Sequence, residues 1–153
     1  MNIKSIAIGN RLMGDDQIGI LVLEALESQL RTKNIDVIIS ETDVYYALNN
    51  IENGDYLFII DSTYYNTIPG KVTIMSIKDA FNQQQQFYSQ HQANLIKLLK
   101  IYKKAVMGFI IGIEVNDINY KIGLSDILNK KLSNITREIN EFIDCTIKMM
   151  NIR

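Results

Sequence analysis

The sequence predicts a single α/β domain of three layers, in which helices cover both faces of a mostly parallel twisted sheet of about five strands. Short apolar segments alternate along the chain with amphipathic segments of helical periodicity. The 153 residues suffice for one hydrophobic core, and no linker or internal repeat divides them. We therefore treat residues 1–153 as one domain.

The individual elements follow from local patterns. Four short apolar segments and one alternating segment with a single solvated face are the predicted strands: residues 3–8, 37–40, 56–60, 106–113 and 71–76. The predicted helices are residues 15–30, 43–51, 92–102 and 125 to about 149. Ser125 is the expected N-cap of the last helix, within which Cys145 is expected to be a small core residue.

Composition excludes several classes of protein. Sixteen basic and 17 acidic residues give a net charge of −1, without the basic excess typical of a nucleic-acid binder. The longest apolar run has nine residues, whereas a bilayer crossing needs about 20. Because no signal-peptide pattern opens the chain and it has one cysteine, we expect a cytoplasmic protein without disulfides or contact with a membrane.

The loop after the first strand reads Gly9-Asn10-Arg11-Leu12-Met13-Gly14-Asp15-Asp16. Its glycines have the spacing of a phosphate-binding P-loop, but two acids stand where that motif needs Lys and Ser or Thr. Their repulsion of a phosphate, on the order of several kcal/mol in a partly dehydrated site, exceeds the ~0.3–1 kcal/mol that a helix dipole offers. A nucleotide site is therefore disfavoured. One Asp suffices as a helix N-cap, and the other is either structural or functional.

Two more candidates follow predicted strands or precede helices. Asp61 ends an apolar run, where it either caps a turn or belongs to a site at the mouth of the sheet. His91, the single histidine, lies in the polar segment Ser89-Gln90-His91, where it is either an idle surface residue or functional. A Ser89 nucleophile lacks the GxSxG turn that would support it.

Together, Asp16, Asp61 and His91 are expected at one edge of the sheet, beyond the carboxyl ends of its strands, where α/β proteins bind ligands. Two carboxylates and one imidazole suit a divalent ion such as Ni²⁺, Zn²⁺ or Mn²⁺. Three protein ligands leave positions open for another molecule, as in metal sites that meet substrate.

At these residues the sequence resembles the [NiFe]-hydrogenase maturation proteases, the endopeptidases that remove a C-terminal tail from the hydrogenase large subunit. The resemblance is carried by motifs in the family's order over nearly the whole chain. They are Gly9-Asn10-Arg11-Leu12-Met13-Gly14-Asp15-Asp16-Gln17-Ile18-Gly19, Ile59-Ile60-Asp61 with Pro69-Gly70, Ser89-Gln90-His91, and Gly112-Ile113-Glu114 with Gly123-Leu124-Ser125.

The resemblance implies a nickel-dependent processing step on the precursor of the [NiFe]-hydrogenase large subunit. It implies that Asp16, Asp61 and His91 contact the nickel and form the catalytic site. The precursor carries that nickel near its tail, so that only a metal-loaded precursor is cut and the free protease is expected to be metal-free. We expect this protease to act as a monomer.

The chain departs from the family pattern in ways that keep two alternatives open. Asp16 stands where the family often has Glu, and Ser40-Glu41-Thr42-Asp43 replaces the family's Asp-Gly-Gly-Thr. These changes motivate a non-proteolytic metal-checkpoint or chaperone protein on the same fold. The other alternative is a metal-independent aspartic-type peptidase, in which Asp16 and Asp61 form an acid pair with one carboxyl protonated and one ionised.

Overall fold

A computed structural model of the protein describes residues 1–82 and 90–151. The strands are β1 (Ile3–Ile8), β2 (Ile35–Glu41), β3 (Tyr56–Thr63), β4 (Val72–Ser76) and β5 (Met107–Glu114). The helices are α1 (Ile18–Thr32), α2 (Val44–Asn49), α3 (Ile77–Asn82), α4 (Gln90–Ile101) and α5 (Asp126–Asn151), and a short 3-10 turn, Gly14–Gln17, precedes α1.

The strands form one sheet in the order β2-β1-β3-β5-β4. β1 runs parallel to β2 and β3, and β3 runs parallel to β5, whereas β4 is antiparallel to β5. The four parallel strands therefore end at the same edge, which we call the carboxyl edge. The predicted fold class, a mostly parallel five-stranded α/β sheet, is confirmed.

Two apolar cores lie on opposite faces of the sheet. One core joins the sheet to α1 and α5, and the other joins it to α2, α3 and α4. The apolar spacing in the last helix correctly predicts its buried residues, since Leu128, Ile135, Ile139 and Ile143 all belong to the first core. Phe142 packs edge-on against Phe58 and Phe109, with ring centroids 6.3 and 5.2 Å away.

Several boundaries differ from the sequence prediction. β3 continues past Asp61, because Ser62 and Thr63 pair with Ile113 and Glu114 of β5. The first helix begins at Ile18, since the two preceding acids lie in the 3-10 turn. Helix α3 was not predicted, and the Gln83–Gln86 run and Ser89 lie outside the described residues.

The prediction for Cys145 was wrong. Its side chain is exposed, because it lies off the apolar stripe of α5 that Phe142, Ile143 and Ile147 contribute to the core.

Among the described helices, none combines the length and the apolar character that crossing a bilayer requires.

Candidate active site

The fold brings two of the predicted residues into direct contact at the carboxyl edge, close to the third. Asp16 lies in the 3-10 turn, Asp61 lies near the end of β3, and His91 lies in the first turn of α4. His91 Nε2 stands 3.6 Å from Asp16 Oδ2, which makes an ion pair rather than a hydrogen bond. Asp61 is fully buried, whereas Asp16 and His91 are each partly open to solvent.

Two glycines allow the turn that carries Asp16 to pack closely against the sheet. A Cβ on Gly9, whose φ is +155°, would lie 2.2 Å from the backbone oxygen of Asp16. A Cβ on Gly19 would lie 2.9 Å from the backbone oxygen of Ile60, next to Asp61. Any side chain at these positions would push the turn and α1 away from β3, and Asp16 would move with them.

Ser62 links the two site carboxylates, and sequence reasoning missed it. Its hydroxyl donates to Asp16 Oδ1 at 2.6 Å, and its backbone N–H donates to Asp61 Oδ1 at 2.8 Å. The backbone N–H of Asn10 donates to the other oxygen of Asp16 at 2.8 Å. Its position directly after Asp61 was a signal in the sequence. Because the strand was predicted to end at residue 61, Ser62 was not recognised as a strand residue whose hydroxyl reaches Asp16.

The charges of the site favour an ionised acid beside a protonated imidazole. Burial on its own would raise the pKa of Asp16, but His91 and the hydrogen bond from Ser62 outweigh burial, and the pKa of this carboxyl is lowered. Asp16 raises the pKa of His91 most strongly, burial opposes that effect, and the charge of Asp61 adds to the rise. Ser62 binds both carboxylates and so keeps Asp61 next to Asp16, the partner of His91.

The neighbouring acid has a structural role instead. Asp15 is fully buried, and its carboxylate accepts from the backbone N–H groups of Asn116, Asp117 and Ser125 and from the Ser125 hydroxyl, at 2.7–2.9 Å. Neither acid caps α1, whose N-cap is Gln17, so the N-cap interpretation was wrong. Ser125 is bound mainly to Asp15, with only a long 3.4 Å contact to the N–H of Leu128 as a cap of α5.

A second buried carboxylate shapes the loop that follows β3. Glu114 accepts from the hydroxyl of Thr63 and from the backbone N–H groups of Tyr65 and Thr67, at 2.9–3.1 Å. Its own backbone pairs with Gly70 and Lys71. The acid of the Gly112-Ile113-Glu114 motif therefore fixes one wall of the region beside Asp61, and it does so without joining the site.

The altered segment 40–43 also contacts the first motif. Arg11 binds Glu41 at 2.7 Å and Glu24 at 2.5 Å, so the loop after β1 is tied both to the end of β2 and to α1. Asp43 caps α2 by accepting from the N–H of Tyr46 at 2.9 Å. These residues stabilise the rim of the site by charge pairing and capping.

The carboxylate and imidazole donors of the site suit a divalent transition metal chemically, but they do not form a complete set of metal ligands. Asp16 and His91 offer an oxygen and a nitrogen to the same space. Within residues 1–82 and 90–151, no three His, Cys, Asp or Glu side chains are arranged to hold a metal ion by themselves. The assignment of Asp16, Asp61 and His91 as metal ligands stays a prediction.

Comparison with known proteins identifies the family. A model of the hydrogenase maturation protease family matches residues 20–142, a range that contains Asp61 and His91 and begins just after Asp16. A candidate hydrogenase maturation protease of Methanocaldococcus jannaschii is 24% identical over an alignment of 131 positions that covers 82% of this chain and 85% of that protein.

Solved structures have the same fold. The hydrogenase maturating endopeptidase HybD of E. coli superposes with a TM-score of 0.78 at 20% identity, over 95% of this chain and 94% of its own. The [NiFe] hydrogenase maturation protease HybD of Thermococcus kodakarensis gives a TM-score of 0.74 at 24% identity, over 93% and 99%. The family model covers most of the chain, and the chain therefore belongs to the hydrogenase maturation proteases, a family of endopeptidases.

Proposed function

We propose that this chain is a nickel-dependent endopeptidase that removes the C-terminal extension of a [NiFe]-hydrogenase large-subunit precursor. The observation that carries the proposal is the meeting of Asp16 and His91, 3.6 Å apart, beside the buried Asp61 in a chain of this family. The site is anionic and partly open, which suits a cation that another molecule brings to it. A cytoplasmic location and a monomeric state stay predictions from the sequence.

In this proposal the nickel belongs to the substrate. The ion arrives with ligands of the precursor, and Asp16, Asp61 and His91 fill positions that those ligands leave free. A bound divalent ion supplies Lewis acidity to the neighbouring carbonyl. Because His91 must be neutral to bind a metal, while Asp16 raises the pKa of His91, engagement of nickel releases a proton and becomes more favourable as pH rises.

The chain's own residues orient this contact. Ser62 and the N–H of Asn10 hold the two oxygens of Asp16, so its carboxylate meets the ion in a fixed direction. Asp61, whose Oδ1 accepts from the N–H of Ser62, contributes the second carboxylate. The peptide bond next to the nickel is then hydrolysed, with water supplying the hydroxyl to the new carboxyl terminus and the proton to the released amine.

In the acid-pair alternative, Asp16 would be the ionised partner and Asp61 the protonated one. Two carboxyls that share one proton require one of them to have a raised pKa. The pKa of Asp16 is lowered, by the imidazole of His91 and by the hydroxyl of Ser62. Asp16 is therefore better suited to bind a cation than to hold a proton.

The test is cleavage of a nickel-loaded large-subunit precursor by the purified chain, followed by mass spectrometry. We expect a shortened subunit with the nickel-loaded precursor and none with the nickel-free form. His91→Ala should lower the cleavage rate at least about a hundredfold, because it removes a ligand. Lys97→Ala, an exposed substitution further along α4, is the matched control and should cleave normally.

Each alternative has its own outcome. Tight binding of the nickel-loaded precursor without release of a tail would identify a checkpoint or chaperone protein. Cleavage that continues in a chelator and survives His91→Ala would identify the acid-pair peptidase. Either result would refute the nickel-dependent endopeptidase.

A further inference from the structure

An exposed apolar surface adjoins the site. Leu12 lies in the loop after β1, and Ile118, Tyr120 and Ile122 lie in the loop between β5 and α5. Their exposed fractions run from 41% for Ile118 to 83% for Ile122. Single exposed apolar residues are common on proteins, but a group beside a functional site marks a contact surface. We call these four residues the apolar platform.

Backbone pairing joins the two loops that carry the platform residues. Met13 and Lys121 form a parallel bridge, in which the N–H of Gly14 donates to the oxygen of Lys121 at 2.9 Å and the N–H of Lys121 donates to the oxygen of Leu12 at 3.0 Å. In this register Leu12 stands beside Tyr120. The two loops that carry the four exposed residues are therefore joined at this bridge.

The platform is fixed to the same turn that carries Asp16. The buried carboxylate of Asp15 holds the N–H groups of Asn116 and Asp117 at one end of the β5–α5 loop and Ser125 at the other. The N–H of Asp15 donates to the oxygen of Asp117 at 2.8 Å. A loop whose backbone is held in this way loses little backbone entropy when a partner binds, which favours affinity.

The charge of the platform differs from that of the site. Its four residues are uncharged, its loop carries Asp117 and Lys121, which cancel, and Arg11 on the facing loop is bound by Glu24 and Glu41. The platform therefore fits a neutral, apolar protein surface, whereas the acidic site beside it fits a cation.

We propose that the apolar platform is the docking surface for the folded body of the precursor, outside the tail that is cut. This inference rests on the proposed function, because a peptide bond that is cut beside Asp16 brings the protein that carries it against the adjoining loops. Contact with nickel then distinguishes a metal-loaded precursor from a metal-free one, and the apolar platform contributes affinity for the polypeptide of the precursor.

The test compares two double variants in steady-state cleavage of the nickel-loaded precursor. Tyr120→Ser/Ile122→Ser should raise KM at least about tenfold, as expected for loss of two buried apolar contacts, and leave kcat within about twofold. Ile101→Ser/Tyr102→Ser is the matched control, because these residues are 61% and 59% exposed at the far end of α4 from His91. It should leave both constants unchanged.

The outcomes separate the two proposals. A wild-type chain that cleaves, together with a platform variant of unchanged KM, would overturn the docking surface and leave the proposed function intact. A wild-type chain that does not cleave would overturn both. Sedimentation that shows a wild-type dimer and a monomeric platform variant would assign the surface to a second copy of the chain and overturn the proposal. If the double variant fails to fold, Ile122→Ser alone gives the same readout.

Discussion

His91 and Asp16 stabilise each other's charged forms across 3.6 Å. Because the pKa of His91 is raised, its contribution to folding stability is fully present at pH values below 6.5, the ordinary pKa of histidine. This contribution is lost as pH rises through the raised pKa. The lowered pKa of Asp16 makes its share complete above the ordinary value of 3.8, and it is lost as pH falls through the lowered value. The pair therefore contributes most between these two ordinary values.

We predict that His91→Gln lowers the free energy of unfolding by about 1 kcal/mol at pH 5, the size expected of a partly exposed ion pair. The cost should be smaller at pH 9, because the share of His91 is lost as pH rises through its raised pKa. Urea unfolding at the two pH values measures it. In an Asp16→Asn background the same substitution should show a weaker pH dependence. An equal cost at pH 5 and pH 9 in the wild-type background would contradict the ion pair.

At the scale of elements, the 3-10 turn is held from two sides. Ser62 of β3 binds Asp16, and the start of α5 with its preceding loop binds Asp15. The two neighbouring acids are therefore expected to differ in role. Asp15 joins distant parts of the chain, and Asp16 faces the site.

We predict that Asp15→Asn lowers the free energy of unfolding by about 2–4 kcal/mol, because an amide cannot accept all four donors that the carboxylate satisfies. Asp16→Asn is the matched comparison. It should cost less stability but should remove most of the cleavage of nickel-loaded precursor. Thermal unfolding and cleavage assays on both variants measure this. The reverse pattern, with Asp16→Asn the more destabilising, would refute the division of roles.

The elements that sequence predicted well are those with a local signal. β1 is short, apolar and ended by Gly9, so its bounds are those predicted. The end of β3 was misplaced because Ser62 and Thr63 are polar, and their pairing with β5 depends on residues about 50 positions away. Asp15 and Asp16 were indistinguishable for the same reason, since the partners of Asp15 lie about 100 residues further along the chain. The convergence of Asp16 and Asp61 was predictable, because parallel strands end at one edge. His91 reaches that edge differently, at the start of α4, after the antiparallel strand β4 and helix α3.

At the scale of the whole molecule, a second set of buried charges lies at the edge of the sheet opposite the candidate site. The edge away from the site contains a buried ion pair, with Lys4 Nζ 2.7 Å from Asp55 Oδ2. Lys4 also donates to the backbone oxygen of Asn50, and Asp55 accepts from the N–H of Glu52. This pair joins β1 to the turn before β3.

We predict that Asp55→Asn lowers the free energy of unfolding by about 3–5 kcal/mol, because it leaves the buried ammonium of Lys4 without its counter-charge. Cleavage measured well below the unfolding temperature should stay within about twofold of wild type. Asp36→Asn, an exposed substitution on β2, is the control for stability. A large loss of cleavage by folded Asp55→Asn protein would show that the two edges are coupled.

Asp16 and His91 enter the site from opposite faces of the sheet, one ahead of α1 and the other within α4. A ligand that binds both Asp16 and His91 therefore connects the two helical layers across the carboxyl edge of the sheet. Its binding energy then resists the separation of those layers, and by mass action the melting temperature rises with ligand concentration. Binding at the site can therefore be measured from the melting temperature alone, without a cleavage assay.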